Sequence, residues 1–125
     1  MRLALEDVLA LEVVVDIADG RAVTGPDLAR RRGLQARSLE QLLQRLARKG
    51  ILVGQRGAQG GYRLAREAAQ ISVGDVVRAA RSGPLRKPKF IRGSSAVKSL
   101  IKELERRTFA WLGEVTIASL ASHRS

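Results

Sequence analysis

The chain contains no cysteine. That absence excludes disulfides, thiolate metal sites and cysteine-ligated iron–sulfur clusters together. Histidine is nearly absent as well: the only one, His123, lies near the C-terminus. With no thiol, one terminal imidazole and neither clustered carboxylates nor a Ser/His/Asp arrangement, no nucleophile has a base to activate it. The sequence therefore reads as a non-enzyme, with no metal or cofactor expected. Aromatic residues amount to 3%, which leaves Leu, Val, Ile and Ala to fill the core. Long apolar runs are missing too, since none approaches the roughly 20 residues of a bilayer span. The opening MRLALEDVLALE carries three acids and does not resemble a secretory signal. A cytoplasmic protein without a membrane partner is the expectation.

Acidic residues are also scarce, but locally. From Leu28 to Arg66, ten Lys/Arg stand against one acid, Glu40, a net of +9 out of a chain total of +11. The pI near 11.5 calls for a polyanionic partner. An arginine-rich genome could raise the total alone, so the distribution of charge has to decide. Residues 1–27 hold two basic and six acidic residues and should face away from any nucleic acid. A length of 125 residues supports one domain with a modest core and room for an appended helix.

Leu5 to Asp19 has helical periodicity, with Val8, Leu11, Val15 and Ala18 as the expected stripe and Leu9, Val14 and Ile17 widening it. Thr24-Gly25-Pro26-Asp27 is a helix start with a capping residue and an early proline, opening a short helix over Asp27 to Arg32 that stops at Gly33. A second start near Gln35 leads into Leu39, Leu42, Leu43 and Leu46 at i, i+3, i+4 and i+7, with Gly50 placed to end it. Two helices joined by a short glycine-containing turn make a helix-turn-helix. A turn of about 100° per residue lines up Arg37, Gln41, Gln44 and Arg48 opposite the leucines, with Glu40 and Arg45 flanking them. Each side chain in that line can hydrogen-bond a base edge or a phosphate. A merely solvated face would mix acids with its bases, and this one does not.

Next come two short strands, Ile51 to Gln55 and Tyr62 to Leu64, around the turn RGAQGG. They form a hairpin, and its place directly after a helix-turn-helix makes it a wing. Ser72 and Asp75 form a capping box for a helix that should stop near Gly83. RSGPLRKPKFIR, residues 81–92, reads as a basic loop. Ser94 or Ser95 caps a long helix to about Leu112 whose stripe is Val97, Leu100, Ile101, Leu104, Thr108, Trp111 and Leu112, with Phe109 beside it. A long amphipathic helix with little left to cover it pairs with a second copy; packing back on the first helix is the alternative. Thr116 caps a last short helix, Ile117 to Ala121. The fold expected is mainly α with a small β-hairpin wing: a winged helix-turn-helix over residues 1–80, a basic loop at 81–93, and a dimerisation helix with a short terminal helix at 94–125.

The run SLEQLLQRLARKGILVGQRGAQGGYRLAREAAQISVGDVVRA, with the opening MRL and the closing VTIASL, resembles the Rrf-two family of bacterial winged-helix transcription regulators. The resemblance implies a homodimeric DNA-binding regulator, a repressor by expectation, that reads a palindromic operator. The helix from Ala36 to Lys49 would lie in the major groove and the wing in the minor groove. Arg37, Ser38, Glu40, Gln41, Gln44, Arg45 and Arg48 fall on the first element, and Arg56, Gly57, Gln59, Gly60, Gly61, Tyr62 and Arg63 on the second. Arginine suits guanine, glutamine adenine and glutamate the cytosine amino group, while a narrow minor groove attracts Arg56. Cluster-binding members carry three cysteines where this chain has RSGPLRKPKFIRGSS, so a cluster sensor is not expected, and an effector or protein partner stays open. Two other readings remain: an architectural DNA binder without sequence preference, to which the loop from Arg86 to Arg92 would add charge, and a protein-interaction winged helix, against which the arginine-lined surface tells.

Overall fold

A computed structural model describes residues 3–19, 24–55, 61–81 and 94–123. The elements run α1 (Leu5–Ala18), α2 (Gly25–Arg32), α3 (Ala36–Arg48), β1 (Leu52–Gly54), β2 (Tyr62–Leu64), a 3-10 turn (Ala68–Gln70), α4 (Val73–Ala80), α5 (Ser95–Leu112) and α6 (Ile117–Ser122). This is the expected mainly helical, winged helix-turn-helix architecture with a long helix near its end.

The helix-turn-helix and the wing are punctuated by one repeated device. After α2 the chain passes through Gly33 at φ 65°, and the Leu34 N–H reaches back to the Ala29 carbonyl at 2.9 Å. After α3 it passes through Gly50 at φ 82°, and the Ile51 N–H donates to the Leu46 carbonyl at 2.9 Å. Both closures place glycine where an L side chain is strained. The second also buries Ile51 with Leu46 and turns the chain into β1. β1 and β2 pair antiparallel, with Leu52 opposite Leu64, Val53 opposite Arg63 and Gly54 opposite Tyr62. Thr24 starts α2 by accepting from the Asp27 N–H at 3.3 Å, so that helix begins at Gly25, earlier than expected, and the Asp27 carboxylate pairs with Arg30.

The core gathers Leu39, Leu42, Leu43 and Leu46 of α3 with Ala10, Val13, Val14 and Ile17 of α1, Leu28 of α2, Val76 and Val77 of α4, and Ile117 of α6. The expected stripe of α1 is corrected here. Val8 is 43% exposed, and Leu11, Val15 and Ala18 are only half-buried, while the inward face is centred on Ala10, Val13, Val14 and Ile17. The reason is that two acids, Asp7 and Asp16, share that inward face. Asp7 accepts from the Ala4 N–H at 2.8 Å and from Arg81 Nη2 at 3.3 Å, and Asp16 accepts from Arg32 Nη2 at 2.8 Å. Buried carboxylates are tolerated when paired in this way.

Ser72 and Asp75 form the expected reciprocal box at 3.0 Å in each direction and start α4. That helix ends earlier than Gly83: Arg81 is already extended, which carries its guanidinium to Asp7. Gly83 and the rest of the basic loop, residues 82–93, lie outside the described residues. Ser94 caps α5 by accepting from the Val97 N–H. Only Phe109 and Leu112 of α5 are buried, so Leu112 leaves the apolar stripe and joins Phe109 against the body. Phe109 carries the Arg78 guanidinium 4.6 Å and the Arg81 guanidinium 5.7 Å above its ring. The chain then returns. The Val73 N–H donates to the Val115 carbonyl and the Ile117 N–H to the Ile71 carbonyl, each at 2.8 Å, and α6 packs on α1. The last helix thus belongs to the same core as the first. Among the described residues no helix is long and apolar enough to cross a membrane.

Gly50→Ala forces a side chain into the left-handed region and is expected to cost about 1–2 kcal/mol. Gly54→Ala, where a new Cβ meets only Tyr62 Cε1 at 3.8 Å, should change stability by less than about 0.5 kcal/mol. Urea denaturation of the two variants beside the parent chain checks the contrast.

Candidate nucleic-acid interface

α3 divides its side chains sharply. The four leucines are at most 2% exposed, and Arg37, Ser38, Gln41, Gln44 and Arg48 are all exposed to solvent. The helix starts with Gln35 as N-cap, has no acid in its first turn, and ends with Arg45 and Arg48 in its last. Its outer line therefore presents two guanidiniums, two primary amides and a hydroxyl, all able to donate and several able to accept.

The flanking residues are placed differently. Arg45 is half-buried and leans toward α1, its Nη2 3.8 Å from Glu6 Oε2. Its Nε is buried without a hydrogen-bond partner among the described residues. Glu40, on the other flank, accepts from Tyr62 Oη at 2.7 Å. The bond runs from the wing's second strand to α3 and lies beside the start of α2. Thr24, Gly25, Pro26, Gly54, Gln55 and Gly61 complete a cavity of about 430 Å³ around the pair. Burial, then the hydrogen bond to Glu40 and its charge, push the Tyr62 phenol up to about 12. With its folded value raised above the ordinary 10, the phenol contributes its stabilisation below pH 10 and loses it as pH rises through 12.

In the wing, Arg63 is exposed, opposite Val53, and Gly61 sits at φ 109°. Arg56, Gly57, Gln59 and Gly60 lie outside the described residues. Beyond the expected set, Lys49, Arg66 and Arg78 line a shallow depression with Ile51, Asp75 and Ala79, so the positive surface continues from the end of α3 onto α4. Arg78 has no local signal in sequence, because α4 packs beside α3 only in the fold.

α5 presents a second surface. Val97 is 44% exposed, Leu100 58%, Leu104 50% and Trp111 62%, while Ile101 and Thr108 are half-buried. Away from that stripe Glu103 binds both Arg106 and Arg107, the latter at 2.9 Å. Those hydrogen bonds, with the two positive charges, pull its carboxyl down to about 2.

The iron-dependent transcriptional regulator family Rrf2 matches residues 6–123. The chain belongs to the Rrf2 family. That is a family of transcriptional regulators rather than of enzymes. A Haemophilus influenzae protein named as an HTH-type transcriptional regulator is 31% identical over 134 residues, covering all of this chain and 89% of that protein. The HTH-type transcriptional regulator IscR of Cronobacter sakazakii is 37% identical over 82 residues, covering 63% of this chain and 51% of IscR. The chain thus spans about half the length of the IscR relatives it matches. The structure of T. potens IscR superposes with a TM-score of 0.77 at 28% identity, covering 98% of this chain and 87% of that one.

The family description mentions iron, and the residues of this Rrf2 chain do not fit a cysteine-held cluster. It has no thiolate, and no three His, Cys, Asp or Glu side chains gather among the described residues. The remaining segments, including 82–93, contain none of these four residue types. His123 turns its Nδ1 to the Ser119 carbonyl of its own helix at 2.7 Å.

Replacing the inward-leaning Arg45 by alanine is expected to lower stability by about 1 kcal/mol, through lost packing and the lost Glu6 contact. Arg37→Ala and Arg48→Ala should each stay within about 0.5 kcal/mol of the parent chain. Thermal unfolding of the three variants separates the inward arginine from the outward ones.

Proposed function

We propose that this Rrf2 chain is a sequence-specific DNA-binding transcription regulator of the cytoplasm, working as a homodimer on a palindromic operator and repressing by occupying it. The observation that carries the reading is the exposed line Arg37, Gln41, Gln44 and Arg48, beside a basic wing and free of acid on its outer edge. Arginine pairs bidentately with guanine and glutamine with adenine in the major groove. Arg56 and Arg63 supply the wing's contacts, with Arg56 reaching the minor groove. Lys49 and Arg66 add phosphate contacts that position the helix without reading sequence.

Support for the homodimer comes from α5, where Val97, Leu100, Leu104 and Trp111 form an exposed apolar stripe along a helix whose buried side chains are Phe109 and Leu112. A second copy covers that stripe, with Ile101 and Thr108 at its edges. A two-fold dimer sets two copies of α3 about one helical turn of DNA apart, which makes the operator a palindrome. The basic residues Arg86 to Arg92 stand where cluster-binding relatives carry their ligands. They make the loop a contact for DNA or for an acidic effector.

In competition gel shifts, Gln41→Ala should lose affinity for the selected operator while keeping its affinity for random DNA; equal losses on both would sink the base-reading role. Arg56→Ala should weaken binding more than Arg63→Ala, and each lost phosphate contact should reduce the slope of log K against log salt by about 0.9. If selection from a random pool enriches no motif, the protein is an architectural binder instead. Leu104→Glu is expected to sediment as a folded monomer and to bind the full palindrome no better than a half-site.

A further inference from the structure

Glu40 is the only acid between residues 28 and 66, and it lies on the flank of the line proposed to face DNA. A carboxylate left free to swing there would repel phosphates, whatever acceptor it could offer a cytosine amino group. It is hydrogen-bonded on one side and confined on the other. Oε1 accepts from Tyr62 Oη at 2.7 Å, and Oε2 lies so close to Gly25 that a Cβ built on that glycine would stand 2.8 Å away. Gly25 is the first residue of α2, and Tyr62 opens β2 directly opposite Gly54 of β1. One carboxylate therefore meets the first turn of α2, α3 and the turn-side end of the wing's two strands.

We infer that the Tyr62–Glu40 hydrogen bond fixes the angle of the wing against the recognition helix and keeps the Glu40 carboxylate off the base-reading line, which makes Tyr62 a positioning residue for DNA specificity. This rests on the proposed reading of α3 and the wing as DNA contacts. The geometry is what the inference needs. Tyr62 is separated from Glu40 by 22 residues, and the intervening chain runs through the end of α3, β1 and the turn, so a swing of the hairpin relative to α3 stretches this bond. The phenol is half-buried and retains its proton at neutral pH, so it is always available as donor. Glycine at position 25 leaves room for the second oxygen, and a methyl group there would displace the carboxylate from the opposite side.

Two independent substitutions therefore release Glu40: Tyr62→Phe removes the donor, and Gly25→Ala takes the space. Each is expected to weaken operator binding about fivefold, the scale of one lost hydrogen bond. Each should also alter the bases enriched from a random pool at the positions beneath α3. In a Glu40→Ala background neither substitution should have a further effect, which a double-mutant cycle reads directly. Tyr62 is the only tyrosine, so near-ultraviolet titration reports the bond by itself: the phenol should titrate at lower pH in Glu40→Ala than in the parent chain. Enriched motifs that stay the same in Tyr62→Phe and Gly25→Ala, or an equal loss with and without Glu40, overturn the inference. A parent chain that enriches no motif overturns instead the DNA reading beneath it.

Discussion

Burying Leu39, Leu42, Leu43 and Leu46 fixes the rotation of α3 about its axis, and most of the remaining structure follows from that rotation. Once those four side chains face the core, Arg37, Gln41, Gln44 and Arg48 can only point outward, and Glu40 and Arg45 fall on the two edges. Each edge then acquires a neighbour of opposite chemistry: Glu6 of α1 beside Arg45, Tyr62 of the wing beside Glu40. The burial is worth several kcal/mol in all, at about 1.5–3 kcal/mol per fully buried leucine. A single surface ion pair contributes about 1 kcal/mol at most. Packing sets the orientation, and the polar edge contacts refine it.

The same hierarchy explains α1. Its inward face carries Asp7 and Asp16 at its two ends with aliphatic residues between them. Arg32 from α2 and Arg81 from the end of α4 meet those carboxylates, so the helix is tied at one end to the helix-turn-helix and at the other to the base of the loop. Arg81 also lies over Phe109, which brings α5 into the same contact group. Removing one member would leave a buried charge behind, and such an arrangement resists piecemeal change more than it adds stability.

The legible parts of the chain were those set by local chemistry. The leucine spacing of α3, the glycine stops at 33 and 50, the Ser72–Asp75 box and the caps at Ser94 and Thr116 each involve residues within a few positions of one another, and sequence displays them directly. The inward face of α1 was misplaced because hydropathy assigns acids to solvent, whereas the arginines that satisfy Asp16 and Asp7 lie 16 and 74 residues away. The Tyr62–Glu40 bond was hidden for the same reason. Sequence placed both residues on the candidate interface as separate contacts, and only the fold joins them. Leu112 shows the converse: the helical period assigned it to the outer stripe, but the return of the chain into α6 draws it inward with Phe109.

The two exposed surfaces of the chain are thermodynamically linked if the proposed function holds. The stripe on α5 leaves large apolar side chains in water, a cost that a second copy removes. The line on α3 is short, with a handful of donors, so one copy gains little discrimination from it. A palindrome that engages two copies at once makes the second contact intramolecular and raises its effective concentration, so operator binding and pairing through α5 each strengthen the other. Any signal that acts on such a protein need not touch the reading helix. A ligand or partner that shifts the packing of Phe109 of α5 against Arg78 and Arg81 would change the spacing of the two recognition helices, and through it the occupancy of the operator, even in a chain whose residues hold no cluster.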